Sequence, residues 1–138
     1  MRKLILLLLC TATLGLASCK KDTIIDAGLP NQTIETVINA SQWVSVDNGT
    51  RLTTTLNFPE IDYQTFKNDG ISVYFYPNNS VNEYKQLPYV YDAVSYTYTA
   101  RQGSITFDIQ TSGDINLRPS RPTAPIGVRV VIVTSHLN

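Results

Sequence analysis

The fold class is decided by the stretch Trp43–Phe58, which reads Trp-Val-Ser-Val-Asp-Asn-Gly-Thr-Arg-Leu-Thr-Thr-Thr-Leu-Asn-Phe. A strand turns successive side chains to opposite faces, so one face of its second half carries Leu52, Thr54, Leu56 and Phe58. Asn48 and Gly49 tolerate positive φ, and Asp47-Asn48-Gly49 is therefore typical of a hairpin turn. The stretch predicts a hairpin in which Trp43–Val46 pairs with Arg51–Phe58.

Other short extended segments follow along the chain. Ser104–Thr111 alternates apolar and polar residues, and Ile126–Thr134 is apolar on both faces, which is typical of a buried strand. The remaining predicted strands are Thr33–Asn39, Ile71–Tyr76, Glu83–Val94 and Ser95–Ala100. One short helix is predicted in residues 59–68, because Pro59 suits a first helical position and Gly70 suits the exit. Seven or eight short strands predict an all-β fold, a single antiparallel β-sandwich of the immunoglobulin-like kind, with a barrel as the alternative.

The N-terminal segment differs from this pattern. Arg2 and Lys3 precede an apolar run that begins at Leu4 and ends before the charged residues Lys20-Lys21-Asp22. A basic flank, an apolar stretch and small residues at its end are typical of a secretory signal peptide. The run is shorter than the roughly 18 apolar residues that a membrane-spanning helix needs. We expect residues 1–18 to be a signal peptide.

Leu16-Ala17-Ser18-Cys19 closes this segment and resembles the lipobox of bacterial lipoproteins. The resemblance implies that a signal peptidase recognises Leu16, Ala17 and Ser18, cuts before Cys19, and leaves a diacylglycerol on its sulfur, often with a further palmitate-like chain on its amine. One acyl chain alone holds a protein only marginally, whereas two or three hold it durably. The implied protein is anchored in the cell envelope, most simply in the outer membrane, with the periplasmic and the cell-surface face both open.

The mature chain divides into a lipidated tether and one domain. Residues 19–32 contain Gly28, Pro30 and Asn31, and such a segment reaches about 20 Å at random-coil scaling. Residues 33–138 are enough for one β-sandwich domain. Without Arg2 and Lys3, 9 of the 11 basic side chains remain against 11 acidic ones, a formal net charge of −2. This balance argues against nucleic acid and against an anionic membrane surface as partners.

A second resemblance is carried by three short motifs. Gly70-Ile71-Ser72-Val73-Tyr74, Leu87-Pro88-Tyr89 and Arg129-Val130-Val131-Ile132 occur in this order, and at similar spacing, in small Bacteroidetes lipoproteins of unknown function. The similarity spans about residues 43–134. It implies the fold and the cellular address, and no activity.

Few residues suggest catalysis. His136 is the only histidine and lies near the end of the chain, where it lacks the convergent partners of a metal site or a triad. Two carboxylates could hydrolyse a glycosidic bond if Glu60 met Asp62, or Asp108 met Asp114, and the turns at residues 47–49 and 68–70 could lend oxygens to calcium. We expect solvated carboxylates and ordinary turns instead, so the chain is predicted to be no enzyme and to hold no cofactor or metal.

The aromatic residues are the better functional signal. Tyr side chains recur at alternate positions, as a strand places them on one face: Tyr74 with Tyr76, Tyr89 with Tyr91, and Tyr96 with Tyr98. An exposed row could stack on sugar rings or anchor a partner protein, and the candidate contact residues are Trp43, Tyr74, Tyr76, Tyr96 and Tyr98. The alternative is that these rings pair across strands and fix the register. The expected function is a non-enzymatic interaction or structural module of the envelope, with a glycan-binding module as the alternative and a hydrolase as the least favoured one.

Overall fold

The structure is a computed structural model that describes residues 30–77, 82–113 and 116–135. The predicted signal peptide, Cys19 and all but the last residues of the predicted tether lie outside these ranges. Gln32, predicted to end the tether, is the first residue of a strand.

Nine strands and one α-helix are present in the described residues. The strands are β1 Gln32–Ile38, β2 Val44–Val46, β3 Arg51–Asn57, β4 Gly70–Pro77, β5 Lys85–Gln86, β6 Tyr89–Tyr91, β7 Val94–Arg101, β8 Ser104–Thr111 and β9 Ile126–Val133, and the helix α1 is Tyr63–Asn68. Two 3-10 turns flank β2, at Ala40–Gln42 and Asp47–Gly49. Three strands are only two or three residues long, and two of these, β5 and β6, replace one predicted strand, so the described residues hold nine strands instead of the seven or eight predicted.

The strands form two antiparallel sheets. One has four strands in the order β1-β9-β4-β5, and the other has five in the order β2-β3-β8-β7-β6. The predicted antiparallel sandwich is confirmed, and the two sheets do not close into a barrel. Among the described residues no helix is long and apolar enough to cross a bilayer.

The core lies between the sheets and follows the alternation seen in the sequence. Leu52, Thr54 and Phe58 of the quoted stretch are buried, as are Ile105, Phe107 and Ile109 of β8 and Val128, Val130 and Ile132 of β9. Trp43 is 1% exposed and lies in the same core. Burial of these apolar side chains is the main term that stabilises the sandwich.

The predicted hairpin at residues 43–58 is confirmed. Val44 pairs with Thr53 and Val46 with Arg51. Asp47, Asn48 and Gly49 have φ of 52°, 57° and 89°, as the turn chemistry requires. Pairing begins at Val44 instead of Trp43, because Trp43 turns its ring into the core.

Two local predictions were wrong. The helix begins at Tyr63 and not at Pro59, because the Asp62 carboxylate accepts the N–H of Thr65 at 2.8 Å and caps the helix there. The single strand predicted for Glu83–Val94 is two short strands, β5 in the four-stranded sheet and β6 in the five-stranded sheet. The cis Leu87–Pro88 peptide lies where the chain crosses between them.

The sandwich has two ends, which matter for function. At the Gln32 end, β1 and β4 begin and β9 ends, since Gln32 pairs with Ile132 and Gly70 with Val133. At the Ile38 end, β1 and β4 end and β9 begins. The segment 58–69, with α1, joins the end of β3 to the start of β4 and so lies at the Gln32 end.

Candidate functional site

Charged and aromatic side chains meet on the outer face of the four-stranded sheet. In the middle of this face the register places Glu35 next to Arg129, and Arg129 next to Tyr74. Val128 and Val130, on either side of Arg129, are fully buried. Because side chains alternate along a strand, Arg129 and its row point away from the core.

Arg129 is held in place by two neighbours. Its Nε and Nη2 donate to Oε1 of Glu35 at 2.8 and 2.7 Å. Its Cζ lies 4.0 Å from the centroid of the Tyr84 ring, which is a cation–π contact. The hydrogen bond to Glu35 is the main cause that raises the pKa of Arg129 above its ordinary value. A ligand on this face would meet a positive group of fixed position.

The Tyr76 ring packs between the Tyr84 ring and the sheet. Its ring lies 5.2 Å from the ring of Tyr84, centroid to centroid, and covers Gly127, its register partner on β9. A Cβ at Gly127 would clash with the Tyr76 ring, so a larger residue there requires the ring to move. Tyr76 is 8% exposed, and burial raises the pKa of its phenol. It therefore positions Tyr84 and offers almost no surface itself.

A shallow depression of about 210 Å³ opens on this face. Its lining residues are Tyr74, Tyr84, Arg129 and Val131. Small-molecule sites usually have volumes from about 300 Å³ upward. The depression is therefore large enough for one ring or one side chain of a larger ligand.

A larger groove of about 340 Å³ lies at the Ile38 end. It runs between the end of β4, the start of β9 and the segment 122–125, and its lining residues are Phe75, Tyr76, Pro77, Lys85, Tyr89, Pro122, Thr123, Ala124, Pro125 and Ile126. This volume falls within the range of small-molecule sites. The groove has an apolar floor with one charged lining residue, Lys85.

Lys85 links the groove to an exposed tyrosine. Its Nζ lies 5.9 Å from the ring centroid of Tyr89 and 5.1 Å from that of Tyr91, and 3.1 Å from Oε1 of Glu83. Tyr91 is 67% exposed. Tyr89 is half-buried and stacks on Tyr96 with 4.6 Å between centroids, and burial raises the pKa of Tyr89 to about 12. Lys85 and Tyr91 can therefore contact a ligand, whereas Tyr89 forms the wall behind them.

These groups form two patches, which together we call the aromatic surface: Tyr74, Tyr84 and Arg129 lie on the outer face of the four-stranded sheet, and Lys85 and Tyr91 lie on the edge strands β5 and β6. Lys85 pairs with the buried Phe75, so its side chain points to the opposite face of the sheet from Tyr84. The surface combines three partly or fully exposed rings with two cations. Rings of this kind stack on sugars or apolar groups, and the cations bind carboxylates.

The five aromatic residues singled out in the sequence do not share one exposed face. Trp43 lies in the core, and its Nε1 has no hydrogen-bond partner among the described residues. Tyr76 is buried, and Tyr96 and Tyr98 pack partly buried against the core. Tyr98 also donates to the backbone oxygen of Ile71 at 2.8 Å, which joins the two sheets. Of the five, only Tyr74 lines the aromatic surface.

The carboxylates considered for chemistry have other partners. Asp62 caps α1, and Asp108 accepts from Nη1 of Arg51 at 2.6 Å on the five-stranded sheet. Asp47 binds Nε of the same Arg51, and Asp69 accepts the N–H of Ser135. Residues 30–77, 82–113 and 116–135 contain no group of three or more potential metal ligands. Asp114, His136 and the lipobox residues lie outside these ranges.

Sequence reasoning missed four members of the aromatic surface as contact residues. Tyr84 precedes the two-residue strand β5 and Lys85 begins it, and this short segment shows no alternation that could place them. Arg129 lies in a run of valines that the pattern marks only as buried. Tyr91 was paired with Tyr89 by spacing, and the usable signal was the adjacent turn at Asp92 and Ala93, which leaves Tyr91 at the exposed end of β6.

No protein-family model, no curated protein and no solved structure matches this chain.

Proposed function

We propose that this chain is a lipid-anchored protein of the bacterial cell envelope, and that its β-sandwich is a non-enzymatic interaction module. The anchor is supported by Leu16-Ala17-Ser18-Cys19 at the end of a short apolar segment. The module is supported by the compact sandwich that begins at Gln32, a short tether after Cys19. One covalent lipid would fix the protein to the membrane, so its faces stay available for partners.

The observation that carries the binding role is the aromatic surface. Two tyrosine rings and Arg129 lie on the outer sheet face, and Tyr91 lies beside Lys85 at the sheet edge, where Lys85 lines the groove at the Ile38 end. Aromatic and arginine side chains are the groups that most often dominate binding energy at interfaces. An interaction module needs such a patch, and a purely structural spacer does not.

Mass spectrometry of the protein isolated from membranes of its host tests the anchor. We expect a chain that begins at Cys19 and carries a diacylglycerol on its sulfur. The variant Cys19→Ala should move from the membrane fraction to the soluble fraction, while the conservative variant Ser18→Ala should stay membrane-bound. A free thiol at Cys19, or an intact leader on the wild-type protein, would refute the proposal.

A second function, binding of an acidic glycan, is favoured by the placement of the cations. Lys85 Nζ lies 5.1 Å from the exposed Tyr91 ring, and Arg129 lies 4.0 Å from the Tyr84 ring. A sugar stacked on the exposed Tyr91 ring would bring its carboxylate within reach of Lys85, whereas Arg129 already covers the Tyr84 ring and is paired with Glu35. Charge-assisted hydrogen bonds of this kind are about twice as strong as neutral ones.

A glycan array with the soluble chain, residues 20–138, tests this second function. The strands and the core of the described residues lie within residues 32–133, so this form keeps their contacts. We expect binding to glycans with uronic acids. Lys85→Gln should weaken it at least about tenfold, since one charge-assisted contact contributes about 1.5–3 kcal/mol, and Tyr91→Ala should weaken it by removing the stacking ring. Thr99→Ala, exposed on the other sheet, is the matched control and should bind as the wild type does. Equal glycan binding by all three variants would contradict the glycan function.

A further inference from the structure

Helix α1 is fastened to the point where the tether enters the sandwich. The N–H of Thr134 donates to Oδ1 of Asn31 at 3.2 Å, and the N–H of Ser135 donates to Oδ1 of Asp69 at 3.0 Å. Asn31 is the last residue before β1, and Asp69 directly follows α1. These bonds join the entry of the chain, the end of β9 and the end of the helix. A six-residue helix is about 9 Å long, so the whole of α1 lies close to the start of β1.

This helix exposes aromatic side chains instead of burying them. Tyr63 is 55% exposed and Phe66 is 47% exposed, and none of the six residues of α1 is buried. Residues three apart share one face of a helix, so the two rings form a common patch. Nζ of Lys67 lies 5.8 Å from the centroid of the Tyr63 ring. The helix thus carries two apolar rings with a cation beside them, on the side of the fold that receives the tether.

We propose that Tyr63, Phe66 and Lys67, the membrane-facing patch, rest in the interfacial region of the bilayer that holds the anchor. The inference rests on the proposed lipid anchor at Cys19. Aromatic rings concentrate at membrane–water interfaces, and a lysine there extends its amine to the headgroups while its stem stays apolar. The two rings and Lys67 are this combination.

The length of the tether identifies the bilayer as the occupant. About twelve residues separate Cys19 from Gln32, which gives a reach of about 20 Å. A linker this short raises the local concentration of the second binding partner to the millimolar range. Two aromatic rings that bind lipid weakly in solution therefore suffice once Cys19 is anchored. A protein partner would have to enter the same narrow space between the domain and the membrane.

The charged residues near the patch indicate which kind of lipid surface it can bind. Glu60, Asp62 and Asp69 flank α1, and Lys67 is the basic residue of its last turn. Acidic side chains beside the patch oppose an anionic surface. The partner is therefore a zwitterionic bilayer, bound through the rings and not through net charge.

This arrangement gives the domain a fixed orientation. β1 has seven residues and a length of about 23 Å. With the Gln32 end on the membrane, the groove at the Ile38 end points away from it by about that distance. The anchor thus presents the groove to partners outside the membrane plane.

The test uses the chain from Cys19 to Asn138, coupled through the sulfur of Cys19 to a maleimide lipid in phosphatidylcholine vesicles. Cys19 is the only cysteine of this form, so coupling is specific. Phe66→Trp places a fluorescent probe in the patch, Tyr63→Trp is a second probe should the first not fold, and Val90→Trp is the control. Val90 is 63% exposed and lies on β6. Its register partner is Ser95 on β7, Ser95 pairs with Gln110 on β8, and Gln110 pairs with Arg51 at the start of β3. Because β3 ends at the Gln32 end, this row of residues lies toward the Ile38 end.

Lipids with brominated chains quench a tryptophan that enters the bilayer. We expect both α1 probes to lose about half of their added fluorescence and to shift to the blue, as a ring at the interface does, and the Val90→Trp probe to lose none. Equal quenching of all probes, or none at any position, would overturn the orientation. Chemical coupling replaces the natural lipid, so the two proposals are tested separately. An unmodified Cys19 in cells would contradict the proposed anchor, and the quenching result would still show whether α1 contacts the bilayer.

Discussion

The outer faces of the two sheets are built from different residues. The face of the four-stranded sheet carries Tyr74, Tyr76, Tyr84 and the Arg129–Glu35 ion pair. The face of the five-stranded sheet carries a regular array of short polar residues, which the register places side by side: Thr53, Asp108 and Thr97 in one row, and Thr55, Thr106 and Thr99 in the next. The hydroxyls of Thr55 and Thr106 lie 2.9 Å apart.

The two outer faces differ in how much they depend on contacts between neighbouring side chains. Threonine suits an outer strand face because its branched side chain fits the pleat and its hydroxyl stays solvated. Such a face needs no further contact. On the four-stranded sheet the outward rings of Tyr76 and Tyr84 pack against each other, and the Tyr76 ring packs over Gly127. That face therefore depends on a specific arrangement of neighbours. We therefore expect substitutions on the aromatic face to cost more than substitutions on the threonine face.

The largest effect is expected at Gly127. Gly127→Ala should lower the free energy of unfolding by about 2–3 kcal/mol, because the new methyl group meets the Tyr76 ring in a packed site. Gly70→Ala is the control, since its Cβ would lie 3.8 Å from the nearest atom, and it should change stability by less than about 0.5 kcal/mol. Urea denaturation measures both. Combining Gly127→Ala with Tyr76→Ala should recover part of the loss, and equal costs for the two single variants would contradict the close approach.

A smaller effect is expected at Tyr84, which lies over Tyr76 and Arg129. Tyr84→Ala should cost about 1 kcal/mol, since an aromatic pair contributes about 0.5–1.5 kcal/mol and an exposed cation–π contact about 0.5–1 kcal/mol. Tyr91→Ala removes a ring that is more exposed and should cost clearly less. If thermal denaturation gives the same shift for both, Tyr84 does not organise the face.

The inward tyrosines of the five-stranded sheet predict a dependence on alkaline pH. The pKa of Tyr89 is about 12 in the folded protein, against an ordinary value of 10.0. As pH rises, the unfolded chain loses this proton first, so the free energy of unfolding falls between about pH 10 and pH 12 and is unaffected below. Tyr89→Phe should flatten that part of the profile, and should remove the latest-titrating phenol from the absorbance titration. A profile that Tyr89→Phe leaves unchanged would show that the stacked pair is solvated.

The smallest effect is expected on the threonine face. Thr55→Val keeps the shape of the side chain and removes an exposed hydroxyl, so the change in stability should stay within about 0.5 kcal/mol. A double-mutant cycle with Thr106→Val measures the coupling of the two hydroxyls, which we expect to be at most about 1 kcal/mol. A loss as large as that of Gly127→Ala would show that this face, too, depends on specific contacts.

The same contrast explains what could be predicted from the sequence. On β8 apolar and polar residues alternate strictly, and on β3 they do so except at the buried Thr54, so the pattern predicts that Leu52, Ile105 and Phe107 face the core, where they lie. On β4, Val73, Tyr74, Phe75 and Tyr76 are all apolar or aromatic, and alternation cannot tell the inner face from the outer one. For this reason Tyr76 was taken as a candidate contact residue, although it is buried under Tyr84.

The position of each aromatic ring also depends on residues far away in the chain. Arg129 and Tyr84 meet because β9 pairs with β4 and the segment before β5 folds over that pair. No short-range pattern contains these contacts, so the aromatic surface could not be derived from spacing.

The all-β class, the quoted hairpin and the core strands β8 and β9 follow from the sequence alone, because alternation and turn chemistry are local properties. The lipid anchor is likewise expected from a local segment and stays a prediction. Which tyrosines face outward, where Lys85 and Arg129 meet them, and which end of the sandwich receives the tether were decided only by the tertiary structure. The physical reason is that these features depend on strand order and on the space left by distant neighbours, such as the missing side chain at Gly127.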